Sequence, residues 1–302
     1  MSPTILIGFD DRPQDADALA LGVELARLTG SGLAVGHVVH EGPAVNLHHR
    51  AEMTGASDDD SLRRARSLLA SELEAITTFH RRSGGSVADE LEDLARELDA
   101  FMIVVGPVHR GPIGRSLLGT TPGHLIHTAT RPVAVAPPHY ADSRDENAWP
   151  VVVGFDRSRE ANAALAVARA FADLSGRPLR VVTVAEVAVP AEAPELPGAG
   201  AKRRVVAEHA AAVLAQGVAA AGEGATGTLL EGDPAQELSA ESVEAQMLVI
   251  GSRRGRMRRG ALGGVPTALI TASACPLVVL PRGVEPDTPV FALSQSQTRA
   301  AG

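Results

Sequence analysis

The stretch TILIGFD (residues 4–10), with its near-copy VVVGFD (151–156), decides how this chain folds. Each is an unbroken aliphatic run that stops at Gly, Phe and Asp. A short apolar run bounded by turn residues reads as a strand buried on both faces. Asp10 and Asp156 stand 146 residues apart. Working outward, LTGSGLAV (28–35) returns as LSGRPLRV (174–181), with Gly30 and Gly176 again 146 apart. FMIVVG (101–106) returns as QMLVIG (246–251) at an offset of 145, and RPVAVAP (131–137) as CPLVVLP (275–281) at 144. Four matches in one order, drifting by two residues, mark the duplication of a unit of about 140 residues.

Both units alternate apolar runs with segments of helical period. In the first, strands are expected near 4–9, 33–39, 75–80, 101–105 and 132–136, and helices near 15–29, 57–74, 86–98 and 120–129. In the second, strands are expected near 150–155, 179–185, 225–231, 246–250 and 276–280, and helices near 160–175, 200–221, 234–244 and 264–273. The segment AITTFH (75–80) also reads as the end of the preceding helix. Such alternation implies α/β architecture: two tandem Rossmann-like domains, each a five-stranded parallel sheet flanked by about four helices with right-handed crossovers. The domains are expected at 1–138 and 149–282, joined by a polar linker (139–148) and followed by a flexible tail (283–302). The segments 41–56 and 186–200 read as loops after each second strand.

Of 302 residues, 45% are hydrophobic but only 3% aromatic, so the core is built from Val, Leu, Ile and Ala. A net charge of −8 argues against a nucleic-acid binder, which usually carries a basic stripe. The start MSPTILIGFDD lacks the basic opening of a signal peptide, and no run approaches the ~18–20 apolar residues of a membrane span. These features point to a soluble, cytoplasmic protein. Cys275 is the single cysteine, which excludes an internal disulfide and cysteine zinc-ligand spacing.

In open parallel sheets, ligands bind beyond the carboxyl ends of the strands, where the winding direction reverses. There the first strand of each unit carries Asp10 with Asp11, or Asp156. The fourth carries Gly106 or Gly251. The loops that follow, GPVHRGPIGRSLLGT (106–120) and GSRRGRMRRGALGG (251–264), are glycine-rich, basic and lead into helices. Glycines let backbone N–H groups approach an anion, and a helix N-terminus adds donors and a positive dipole end. The same composition also suits an ordinary turn with solvated charge. Neither loop is a Walker A, and neither matches G-x-G-x-x-G at the first helix.

These residues resemble the ATP-binding universal stress proteins, whose signature G-x2-G-x9-G-[S/T] follows the fourth strand. The first unit reads Gly106-x2-His109-x9-Gly119-Thr120, with His109 in place of the second glycine. In the second, counted back from Pro276, Gly263 takes the third glycine position and Gly264 the hydroxyl position, in a loop one residue shorter. GDPAQEL (232–238) resembles the family's turn after strand three, and SGGSVADEL is a looser version. The resemblance spans residues 1–282 and implies an adenine nucleotide, ATP with or without Mg2+. In the first unit it implicates Asp10, Val38, Gly106, His109, Arg110, Gly119 and Thr120. In the second it implicates Asp156, Val184, Gly251, Arg253, Gly255, Gly263 and Gly264. Val38 and Val184 correspond to the family's backbone contact to adenine, and the Asp positions to a group facing base or ribose. Thr120 keeps a hydroxyl that Gly264 lacks, so the first unit is favoured. The family also implies that the halves pack as a pseudo-dimer within the chain, with homodimerisation open.

No nucleophile, base and orienting group can be assembled, so no catalytic residue is expected beyond weak ATP hydrolysis. His37, His40, His48 and His49 cluster around strand two but lack convergent metal-ligand spacing, and His37 reads as a packed core residue. Cys275 before Pro276 reads as structural. Two rivals stand: an interaction scaffold of the same family with decayed sites, and an ATP-dependent enzyme of a related α/β fold. The latter would need a Ser-Gly-Gly-x-Asp loop that GFDDRPQ and GFDRSRE do not supply.

Overall fold

The computed structural model describes residues 3–10, 12, 15–40, 58–69, 73, 76–107, 120–142, 148–186, 199–252 and 264–283. The chain divides into two compact units, Met1–Asp145 and Glu146–Gly302. Both are α/β, with strands that pair in parallel.

The first unit runs β1 (Thr4–Gly8), α1 (Asp15–Thr29), β2 (Gly32–His40), α2 (Asp58–Leu68), β3 (Thr77–Gly84), α3 (Val87–Glu97), β4 (Ala100–Val105), α4 (Thr121–Thr128) and β5 (Val133–Val135). Its sheet order is β3-β2-β1-β4-β5. β1 lies between β2 and β4, in registers that include Ile7 opposite Val35 and Ile7 opposite Val104. The winding direction therefore reverses beside β1, which sets the ligand crevice of such a sheet at the carboxyl ends of β1 and β4. Ile5, Leu6 and Ile7 are fully buried, because helices cover both faces.

The second unit runs β6 (Val151–Gly154), α5 (Arg159–Ser175), β7 (Leu179–Ala185), α6 (Ala199–Ala221), β8 (Thr226–Glu231), α7 (Pro234–Glu241), β9 (Met247–Gly251), α8 (Val265–Ala272) and β10 (Leu277–Leu280). Its order, β8-β7-β6-β9-β10, repeats that of the first unit.

The equivalent helices α3 and α7 start on equivalent caps. Ser86 Oγ accepts from Asp89 N at the start of α3, and Asp233 accepts from Ala235 N and Gln236 N at the start of α7. These side chains satisfy amides that the first helical turn leaves unpaired. The looser turn SGGSVADEL is thus capped like GDPAQEL. One turn on, Leu91 and Leu238 press against Gly8 and Gly154, where an added Cβ would come within 3.0 and 3.2 Å of them.

Three element boundaries differ from expectation. β3 spans Thr77–Gly84 rather than 75–80, continuing through His80, Arg81, Arg82 and Ser83 opposite Gly36–Val39. It is an edge strand whose alternating burial comes from the ladder, with no apolar run to announce it. Arg66 of α2 stacks over Phe79, 4.4 Å from the ring centre. α2 ends at Leu68, with helical geometry again at Leu73. α7 ends at Glu241 and tightens into a 3-10 turn over Ser242–Glu244.

The polar segment after β5 begins with a 3-10 turn, Tyr140–Asp142, held to α1. Buried Asp17 accepts from His139 N at 3.1 Å and Ala141 N at 2.9 Å, and Tyr140 donates to Glu24. No described helix is long and apolar enough to cross a membrane. The expected loop 41–56 lies outside the described residues, as do 187–198 of the expected loop 186–200 and 284–302 of the expected tail, while Ala199 and Gly200 already belong to α6.

Candidate functional site

The turn after β1 is organised by a residue the motif reading did not single out. Asp15, the first residue of α1, turns its carboxylate back onto the loop. Its Oδ2 accepts from Asp10 N at 2.8 Å and from Arg12 N at 2.9 Å. Burial pushes the Asp15 carboxyl above its ordinary value, against the opposing pull of the Arg12 and Asp10 amides. The only sequence signal was an acid five residues after Asp10, which reads equally well as a complement to the helix dipole. The Asp10 carboxylate itself is 41% exposed, pairs with Arg12 Nε at 3.0 Å, and stands 3.9 Å from His37 Nδ1.

In the second unit, Asp156 Oδ1 accepts from Ser158 N at 2.9 Å, and Ser158 caps α5 by accepting from Ala161 N. Arg157 between them adopts the left-handed conformation, φ 65°. The two first-strand turns are thus built differently, although both end at an Asp.

At the carboxyl end of the second strands, Val38 is buried and Val184 half-buried. Their neighbours His37 and Thr183 both reach back to the first strand. His37 Nδ1 lies 3.0 Å from the Phe9 carbonyl, and Thr183 Oγ1 donates to the Phe155 carbonyl at 2.9 Å.

Beyond the fourth strands, Gly106 follows β4 and Gly251 ends β9. A Cβ at Gly251 would lie 2.5 Å from the Glu160 carbonyl carbon and 2.8 Å from Ala161 N. This glycine is therefore demanded by close approach of α5, a structural reason that holds with or without a ligand. His109, Arg110, Gly119, Arg253, Gly255 and Gly263 lie outside the described residues.

Thr120 is the N-cap of α4, and its Oγ1 accepts from Gly123 N at 3.2 Å. Gly264, at the equivalent place on α8, has no side-chain cap bond. The helix starts offer an anion less than the sequence suggested. Pro122 and Pro266 remove one amide each. Gly123 N is taken by Thr120 Oγ1 and His124 N by the Thr120 carbonyl. In α8, Thr267 N and Ala268 N turn to the Gly264 carbonyl. That leaves Thr121 N and Val265 N as the first-turn amides without a partner among the described residues.

No group of three or more metal-ligating side chains converges among the described residues. Cys275 is buried, and burial pushes its thiol up to about 12, which removes it as a nucleophile.

A model of the universal stress protein family matches the chain twice, over residues 1–137 and 150–281. A universal stress protein of Mycobacterium tuberculosis is 33% identical over 187 residues, 60% of this chain. The chain spans 62% of the length of that relative. A second from the same organism is 28% identical over 301 residues, 92% of this chain and 99% of the relative. The solved structure of a universal stress protein from Archaeoglobus fulgidus shares the fold, with a TM-score of 0.64 at 19% identity over 94% of this chain and 100% of that one. With the family model matched in both units across most of its length, the chain belongs to the universal stress protein family.

Proposed function

We propose that the protein is a cytoplasmic stress-response protein that binds ATP at the carboxyl end of the first unit's sheet and senses the nucleotide, with no more than weak hydrolysis. The second unit is the weaker site. The observation that carries this reading is Thr120, a hydroxyl at the N-cap of α4 directly after the glycine-rich loop, where the second unit has Gly264 and no side-chain cap. The Thr120 oxygen accepts from Gly123 N, and its hydroxyl would turn its proton to a phosphate oxygen when the nucleotide binds. Thr121 N would add one donor. Asp10 would face the base or ribose, with the Val38 backbone against adenine. Asp15 already serves two amides and Asp10 an arginine, so any Mg2+ would arrive on the phosphates rather than in a protein cage. With no activated nucleophile in place, weak hydrolysis is the most this site would support.

Heat-denaturing the purified protein and analysing the supernatant by mass spectrometry tests the reading, followed by titration with ATP, ADP and AMP. Carried-over nucleotide, or ATP binding that Thr120→Val weakens, supports it. Unchanged binding in Thr120→Val would remove the first-unit assignment. Absence of any nucleotide binding favours the scaffold reading, toward which His109 and Gly264 lean. Pairing of the halves within the chain, and a homodimer, belong to the same proposal. Small-angle scattering with sedimentation tests both.

A further inference from the structure

His37 and Thr183 hold equivalent places but differ in what they leave over. A carbonyl oxygen only accepts, so the 3.0 Å approach of His37 Nδ1 to Phe9 O places the ring hydrogen on Nδ1. In the neutral ring, Nε2 is then a lone-pair acceptor. His37 is 6% exposed, and the contacts its ring makes to the Phe9 carbonyl and toward the Asp10 carboxylate both run through Nδ1. The ring rests on the Phe9–Asp10 turn, 3.9 Å from the carboxylate of Asp10 and one residue before Val38. Thr183 commits its one hydroxyl hydrogen to Phe155 and has no second polar group.

We propose that His37 Nε2 accepts a hydrogen bond from an N–H or O–H of the nucleotide, and that it makes the first unit selective for ligands carrying that donor. The proposal rests on the nucleotide-binding reading above and adds a specificity residue to it. Two groups supply the chemistry, the exocyclic amine of adenine and a ribose hydroxyl. The second unit, with Thr183, lacks this acceptor and discriminates less.

His37→Thr is the informative variant, because Thr183 shows that threonine satisfies the underlying carbonyl. The full chain is titrated calorimetrically with ATP, 2′-deoxy-ATP and N6,N6-dimethyl-ATP. In the variant, one class of sites is expected to bind ATP roughly three- to tenfold more weakly, the range of one hydrogen bond. In the unmodified chain, the analogue lacking the received donor should suffer a similar loss. In the variant that analogue should lose nothing further against ATP. Equal ATP affinity in variant and parent, or analogue penalties that the variant leaves unchanged, overturns the role of His37 while nucleotide binding stands. A parent chain that binds no ATP overturns both. If His37→Thr does not fold, long-range 1H–15N spectra of histidine-labelled parent protein decide. A pyridine-type Nε2 that shifts when ATP is added supports the proposal, and a set of histidine Nε2 resonances indifferent to ATP overturns it.

Discussion

At the residue scale, the β1–α1 turn depends on a carboxylate working against its surroundings. Asp15 is held partly out of water yet accepts from two amides, and burial is the larger effect, so its folded-state value is raised. A raised acid binds its proton more tightly in the native state than in the unfolded one. Its ionisation therefore costs stability, and the cost is fully present once the pH exceeds the raised value. It is relieved as the pH falls toward the ordinary value of 3.8. Asp15→Asn keeps an oxygen for the Asp10 and Arg12 amides and discards the desolvated charge. Denaturant titrations should show a stability change under about 1 kcal/mol at neutral pH, the range of substitutions that break none of the costly features. The pH dependence just above 3.8 should flatten. A loss of several kcal/mol would mean that the charge itself orders the turn. Cys275 offers a sharper test. With its thiol raised to about 12, it should resist iodoacetamide at pH 8 in the native protein and react once denaturant is added. Modification of the folded chain would show that the start of β10 opens.

At the element scale, the two copies solve one packing problem with different volumes. Gly22 on α1 crosses β1 so closely that an added Cβ would lie 2.4 Å from Ile7 Cδ1 and 2.6 Å from Cγ1. Val153 and Ala168 occupy the corresponding places in the second unit, a smaller strand residue with a larger helix residue, and both are fully buried. Gly→Ala within a helix normally gains about 1 kcal/mol, whereas overpacking a core costs about 1–3. Gly22→Ala alone should therefore be neutral to destabilising. Ile7→Val alone should cost about 0.5–1.5 kcal/mol. Combined, they recreate the second unit's solution, and equilibrium unfolding should place the double variant at least about 1 kcal/mol above the sum of the singles, a coupling typical of residues in contact. Strict additivity would refute the compensation. The same comparison shows what a sequence conceals. Apolar runs such as FMIVV and VVV disclosed the central strands because both their faces are covered. β3 was only half legible, since the polar run HRRS at a sheet edge carries no strand signal and only the ladder with Gly36–His40 extends it. The turn before β5 was equally opaque. Thr130 N is met by Glu92 Oε1 at 3.3 Å, while its counterpart Ala274 N is met by Ser242 Oγ at 2.9 Å. One amide has two unrelated partners, and no spacing rule finds either.

At the scale of the whole molecule, duplication was the most legible feature, because offsets drifting from 146 to 144 require one order of elements in both halves. The asymmetry between the halves was legible only in part. Thr120 against Gly264 can be read from the motif, but His37 against Thr183 cannot, since a histidine in an apolar strand reads as core packing until the fold shows its ring bonded through Nδ1 at the end of the first strand. Asp15 and Asp17 likewise read as first-turn acids, and only the fold shows them gripping the Asp10 turn and the segment after β5. If the hydroxyl at the helix cap is what separates the sites, moving it should move the affinity. Gly264 has φ −64°, open to any residue, and a Cβ there meets nothing nearer than Pro266 Cδ at 3.8 Å. Gly264→Ser should therefore fold without strain and gain at most a few tenths of a kcal/mol from capping. A hydrogen bond to a charged group is worth about 1.5–3 kcal/mol, which converts to roughly tenfold or more in affinity. Titrating the full chain with ATP should show two classes of site in the parent, a stronger one lost in Thr120→Val, and a weaker one strengthened in Gly264→Ser. Carrying both changes at once should exchange the ranking of the two classes. Melting temperatures recorded alongside separate the binding effect from the cap loss of about 1 kcal/mol expected for Thr120→Val. A Gly264→Ser chain that gains nothing would trace the second unit's weakness to its shorter loop, and the cap hydroxyl would cease to explain the difference between the halves.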